Sequence, residues 1–216
     1  MSGIYIHIPF CKKACHYCNF HFSTNQNSKS SFIKALSKEL RLRSFEYESN
    51  KIQTIYFGGG TPTVLQISEL TSILDVVYEF YNVSETPEIT LEANPDDLDL
   101  EKIVTLSKTK INRLSIGIQS FHEEELKLMN RAHNAQEAFD VLNRIQGLYD
   151  NFSLDLIFGL PNSTPESWQK NVEYASSFSW RKSFYHNFNL WINSVLGKKM
   201  GNSLLNGWNW KYNKGL

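Results

Sequence analysis

The sequence predicts an α/β fold of parallel strands curled into a barrel, and three observations predict it. Short apolar runs alternate with amphipathic stretches along the first 178 residues, and such alternation means parallel strands joined by right-handed crossovers. Each apolar run is followed by glycine, proline or a polar group, the arrangement of a barrel whose reacting groups collect on one rim. The 216 residues are 41% hydrophobic and 13% aromatic, enough for one large domain with a substantial core.

The strand-like runs are Ile4 to Ile8, Ile52 to Phe57, Glu88 to Ala93, Arg113 to Gln119 and Phe152 to Phe158. All are rich in Ile, Phe, Tyr and Leu and bounded by turn formers. Between them Phe32, Leu36 and Leu40 recur at helical spacing, as do Ile73, Val77 and Tyr81, and then Ala138, Leu142 and Ile145. Thr164-Pro165-Glu166 opens a further helix with a cap and a proline at its first position. A sixth strand is expected around Ser183 to Ile192. After the runs come a cysteine loop, Gly58-Gly59-Gly60-Thr61-Pro62, Glu92 with Asn94-Pro95, Gln119-Ser120-Phe121, and Asp155 with Gly159-Leu160-Pro161. An open doubly wound sheet would gather its ligand contacts at one crevice instead.

No apolar run approaches the ~20 residues that span a bilayer, and the N-terminus lacks the basic and apolar regions of a signal peptide. A reducing cytoplasm is the expected compartment. Net charge is zero, yet residues 1–173 hold all 22 acidic residues against 16 basic ones, and the other six basic residues follow. Beyond residue 178 the periodicity fades, and Trp180, Trp191, Trp208 and Trp210 lie among asparagines. A basic, aromatic strip for nucleic acid is one reading of this tail. The abrupt change of composition favours an altered or truncated C-terminus, with 1–178 as core barrel, 179–216 as an atypical tail and no nucleic-acid partner.

Cys11, Cys15 and Cys18 are the only cysteines. Three thiols within eight residues cannot pair off as disulfides, so a shared metal centre is the natural reading. Iron–sulfur clusters usually take four thiolates. Three would leave one iron open to a ligand such as the amino acid end of S-adenosylmethionine. A zinc site of the three cysteines with His16 or His21 is the competing possibility, although zinc modules usually bring two separated ligand pairs.

Tyr5-Ile6-His7-Ile8-Pro9-Phe10-Cys11, Phe57-Gly58-Gly59-Gly60-Thr61-Pro62-Thr63, Glu92-Ala93-Asn94-Pro95, Gly117-Ile118-Gln119-Ser120-Phe121, Asn130-Arg131-Ala132-His133 and Asp155-Leu156-Ile157-Phe158-Gly159-Leu160-Pro161 occur in that order. Together they resemble the radical S-adenosylmethionine proteins of the oxygen-independent coproporphyrinogen III oxidase family, over about residues 3–175. The resemblance implies a partial (β/α)6 barrel, a [4Fe-4S] cluster on Cys11, Cys15 and Cys18, and bound S-adenosylmethionine cleaved by one electron. It sets Tyr17 beside the adenine, where the alternative is a hydrophobic plug for the loop. It sets Gly59, Gly60 and Thr61 against the amino acid end of the cofactor, where the alternative is a tight turn. Gln119 and Arg131 match positions that hold ribose and carboxylate, although a lone arginine is more often a solvated charge.

Glu92 and Asp155 could accept hydrogen bonds from ribose hydroxyls or an ammonium group, or pair with basic neighbours. Tyr5 matches a cofactor-contact position and could equally be core, and His7 reads as a satisfied barrel histidine. Oxidases of the family carry a further cysteine two positions after the third, where this chain has Phe20. That departure points to the heme-chaperone branch, which binds heme and passes it to an acceptor protein. The alternative is an oxidase that converts propionates of coproporphyrinogen III to vinyls; either one needs an electron donor for the cluster.

Overall fold

In the computed structural model, which describes residues 2–47 and 49–178 and the backbone of 184–186, six parallel strands form one sheet. The strands are β1 (Ser2–Ile8), β2 (Ile52–Gly59), β3 (Val83–Ala93), β4 (Arg113–Gln119), β5 (Phe152–Ile157) and β6 (Phe184–His186). They lie side by side in chain order, every neighbour parallel. Right-handed crossovers between strands in strict chain order put every connecting helix on the same face, so the sheet curls and its other face turns inward. A doubly wound sheet would reverse its order at a switch point, and here there is no reversal.

Strand alternation sorts the side chains. Ile55 and Phe57 of β2, Ile89 and Leu91 of β3, Leu114 and Ile116 of β4, and Phe152 and Leu154 of β5 are buried in the main core. Their alternate neighbours Tyr56, Glu92, Ser115, Gly117 and Asp155 line an internal cavity. This is the two-residue period of a strand whose two faces meet different surroundings. All seven residues of β4 are buried, as expected for a strand at the centre of the sheet.

The helices are α1 (Lys29–Arg43), α2 (Ile67–Phe80), α3 (Leu100–Leu106), α4 (Glu123–Leu128), α5 (Ala135–Ile145) and α6 (Pro165–Ser177). Leu70, Ile73 and Val77 of α2 and Ala138, Leu142 and Ile145 of α5 supply the apolar stripes that cover the strands. The expected cap of α6 is present: Thr164 accepts from the Ser167 amide at 3.1 Å, with Pro165 in the first turn. Asn134 and Glu137 cap α5 reciprocally. The helices α3 and α4, of 7 and 6 residues, are too short to show a helical period in the sequence. Of the expected sixth strand, three backbone residues are described, beside β5. The rest of that segment and the reading of the tail lie outside the described residues.

Phe57 is fully buried between sheet and helices. Phe57→Ala is expected to cost about 3–5 kcal/mol, the range for a large core deletion, read as a lower midpoint in urea unfolding.

Candidate functional site

The cysteine loop leaves the end of β1 and is pinched at its base. The Cys11 amide donates to Ser23 O at 3.0 Å and the Ser23 amide to Pro9 O at 2.9 Å. Three thiols, none in a disulfide, are thereby confined to a short closed loop. The far side of the loop is stitched to the turn between α4 and α5. The His16 amide donates to Met129 O at 3.0 Å, His16 Nδ1 to Leu128 O at 3.1 Å, Lys13 Nζ to Arg131 O at 3.1 Å and Asn130 Nδ2 to Ala14 O at 2.8 Å. Asn130 sits at φ 57°, a left-handed conformation that asparagine tolerates. Lys12 ion-pairs with Asp97, whose other oxygen accepts from Thr63 Oγ1 at 2.9 Å.

The glycine loop packs directly beneath. The Gly60 amide donates to Ile8 O at 2.8 Å and the Thr61 amide to Phe10 O at 2.7 Å. Gly59 lies at φ +113°, and a Cβ there would fall 2.6 Å from the His7 ring, while one on Gly60 would fall 2.6 Å from Phe10 O. No other residue fits either position. These glycines are required by the protein's own close contacts, as the tight-turn alternative expects.

Arg131 is not a solvated helical charge. It lies in the turn after α4, is 8% exposed, and points at the cysteine loop. Its Nη1 donates to Cys15 Sγ at 3.4 Å and to Tyr17 OH at 3.1 Å. Its Nη2 donates to Asn94 Oδ1 at 2.8 Å and to Gly117 O at 2.7 Å. Burial alone would weaken its hold on a proton, but Tyr17 and Cys15 outweigh that and its pKa moves up. The Cys11 thiol is pushed up to about 11, chiefly by burial, with the Cys18 and Cys15 charges adding and the Thr61 bond opposing. Burial likewise raises Cys18. A metal binding these thiols must displace protons.

Glu92 is held between the Tyr56 hydroxyl, which donates to Oε1 at 2.7 Å, and the Gly59 amide, which donates to Oε2 at 3.1 Å. Gln119 is buried at φ 69° at the end of β4, and Asp155 stands opposite Gly117 in the β4–β5 ladder. The ring of Tyr17 packs against the small cluster of Leu126, Met129, Ile157 and Leu160. These groups surround one cavity of about 550 Å³, within the range of small-molecule sites.

Cys11, Cys15, Cys18, Tyr17, Gly59, Gly60, Thr61, Glu92, Gln119, Arg131 and Asp155 all line the cavity. Tyr5 does not: it is 59% exposed, with its ring 6.0 Å from that of Tyr56. His7 is satisfied, its Nε2 donating to His21 O at 3.3 Å. The sequence reading gave no role to Asn94, Tyr56 or Arg113, which also line the cavity. Arg113 is buried at its floor, donating to Ser153 Oγ at 2.8 Å and to Thr90 Oγ1 at 3.3 Å. Arg113, Ser115 and Gln119 at alternate positions of the Arg113-Leu114-Ser115-Ile116-Gly117-Ile118-Gln119 run, with no apolar side chain among the odd positions, were the available sign of a second, polar face.

The radical SAM superfamily pattern matches residues 5–175. The chain is a radical SAM protein. It is 35% identical over 179 residues to a protein named heme chaperone HemW from Buchnera aphidicola, covering 82% of this chain and 48% of that one. It is 32% identical over 169 residues to the oxygen-independent coproporphyrinogen III oxidase of Salmonella typhimurium, covering 77% of this chain and 37% of that one. The structure of Escherichia coli coproporphyrinogen III oxidase (HemN), described as a radical SAM enzyme, superposes with TM-score 0.82 at 26% identity, covering 93% of this chain and 47% of that one. The chain thus spans about half the length, or less, of these relatives.

The radical SAM family implies a [4Fe-4S] cluster and S-adenosylmethionine, and the donor set fits both. Among the described residues no three His, Cys, Asp or Glu side chains form a ligand set for a single metal ion. A cubane cluster asks less of them, because each thiolate takes a different iron. Arg131 lines the same cavity, and a guanidinium is the group that grips a ligand carboxylate with parallel hydrogen bonds. Among the described residues no helix is long and apolar enough to cross a membrane.

His133, 3% exposed, lies behind this radical SAM site. Its Nε2 donates to Ile118 O at 3.2 Å while its Nδ1 has no partner. Burial, with the Arg131 charge adding, lowers its pKa from 6.5 to about 3. The folded imidazole therefore stays neutral where the unfolded one takes a proton. Its stabilising effect is full above pH 6.5 and is lost as pH falls toward about 3, at up to about 1.4 kcal/mol per pH unit. His133→Gln is expected to flatten the acid limb of a stability–pH curve by about one proton, measured by urea unfolding across that range.

Proposed function

We propose that the chain is the cofactor-holding barrel of a heme chaperone that binds a [4Fe-4S] cluster, S-adenosylmethionine and heme and passes heme to an acceptor protein. One observation carries the reading: three thiols and eight of the nine expected cofactor residues line a single cavity. In this reading residues 1–178 are the core barrel and 179–216 an atypical tail that keeps a remnant of the last strand, β6. When bound, the cluster and S-adenosylmethionine supply one-electron radical chemistry.

Cys11, Cys15 and Cys18 hold the cluster. Gly59, Gly60 and Thr61 present backbone to the amino acid end of the cofactor, and the Arg131 guanidinium serves the carboxylate from the cavity wall. Glu92, Gln119 and Asp155 serve the ribose and ammonium groups, Tyr17 backs the adenine and excludes water, and Tyr5 flanks the site beside Tyr56. A heme acceptor and an electron donor are the partners this function requires. The names of the relatives support a tetrapyrrole ligand, and Phe20 beside the third cysteine supports the chaperone over the oxidase.

The second reading, an oxygen-independent coproporphyrinogen III oxidase, is favoured by the structural likeness to the Escherichia coli enzyme. Anaerobically reconstituted protein separates the two. The chaperone reading expects saturable heme binding in a visible titration and no vinyl groups formed from coproporphyrinogen III. Turnover with release of carbon dioxide would establish the oxidase instead.

A further inference from the structure

We propose that Arg131, Asn94 and Thr61 form a hydrogen-bond relay that raises the reduction potential of the cluster through the sulfurs of Cys11 and Cys15. The proposal rests on the reading that these thiols hold an iron–sulfur cluster. Arg131 Nη2 donates to Asn94 Oδ1 at 2.8 Å, and this fixes which way the amide faces. With its oxygen on the guanidinium, Asn94 turns its Nδ2 to Thr61 Oγ1, 3.1 Å away, and donates there. The hydroxyl has a single proton, and with its oxygen accepting from Asn94 that proton goes to Cys11 Sγ at 3.4 Å. The same guanidinium reaches Cys15 Sγ directly, also at 3.4 Å.

One buried cation thus acts on two of the three sulfurs, on one by contact and on the other through two neutral groups. Arg131 and Thr61 are 8% and 4% exposed, so water screens the chain of dipoles poorly, and each bond polarises the next. Reduction adds negative charge to a cluster and its sulfurs, and donors aimed at those sulfurs stabilise the reduced form. If these bonds served only to orient side chains, removing one proton from the relay without changing its shape would leave the potential unmoved.

The test is an EPR-monitored redox titration of the [4Fe-4S]2+/1+ couple, with dithionite as reductant, on the reconstituted full chain without S-adenosylmethionine. Thr61→Val removes the hydroxyl proton and keeps the shape. Asn94→Asp replaces the amide donor by an acceptor that draws the Thr61 proton away from Cys11. Both are expected to lower the potential and to shift the Fe–S(Cys) stretching bands in resonance Raman spectra, while Thr61→Ser keeps the wild-type values. Wild-type potentials in Val and Asp variants with full iron and sulfide overturn the relay, as does a Ser variant that falls as far as Val. Should Thr61→Val load no cluster, Thr61→Ala decides by the same criteria. A wild-type chain that takes up no cluster overturns the underlying reading and the relay together.

Discussion

The buried guanidinium of Arg131 joins three parts of the chain that are far apart in sequence. It touches the cysteine loop at Cys15 and Tyr17, the end of β3 at Asn94 and the middle of β4 at Gly117. A cation taken out of water is costly unless it is well paired, and here its two Nη groups are met by the Asn94 side-chain oxygen, the Gly117 carbonyl, a phenol and a sulfur. The cost and its compensation fix the geometry. The turn that carries Arg131 also grips the outer side of the cysteine loop through Met129, Leu128 and Asn130. The loop is thereby held at both ends, by β1 at its base and by the turn after α4 at its tip.

Below this junction the barrel does two jobs with one strand period. Even positions of β4 and β5 carry Leu, Ile and Phe into the helix layer, while odd positions carry Arg113, Ser115, Gln119, Ser153 and Asp155 inward. The apolar half supplies the stability. The polar half supplies a floor and walls whose groups already satisfy one another, as Arg113 does with Ser153 and Thr90. A ligand entering the cavity meets preorganised dipoles.

Much of this was legible in the sequence because it depends on local pattern. Five strands appear where β-branched and aromatic residues alternate, β4 with its expected bounds, and the cap of α6 was visible in Thr164-Pro165. The cysteine spacing and the strand-end motifs named eleven of the residues that line the cavity, while Tyr5 was named and does not line it. What stayed hidden depends on contacts across long sequence separations. Nothing around Arg131 announces burial, since its partners are 14 to 116 positions away. Asn94 had no visible role because its value comes from standing between Arg131 and Thr61. Tyr5 shows the converse: its place in a motif suggested a cavity wall, yet on the edge strand β1 its ring is exposed.

The central claim is that three thiols on one loop grip a cluster whose remaining iron is open to S-adenosylmethionine. The most direct measurement is iron and acid-labile sulfide analysis of anaerobically reconstituted protein, with EPR spectra of the reduced sample before and after adding S-adenosylmethionine. About four irons and four sulfides per chain are expected, with a spectrum that changes when the cofactor is added. Folded protein that holds neither iron nor sulfide, or a cluster spectrum indifferent to S-adenosylmethionine, would contradict it.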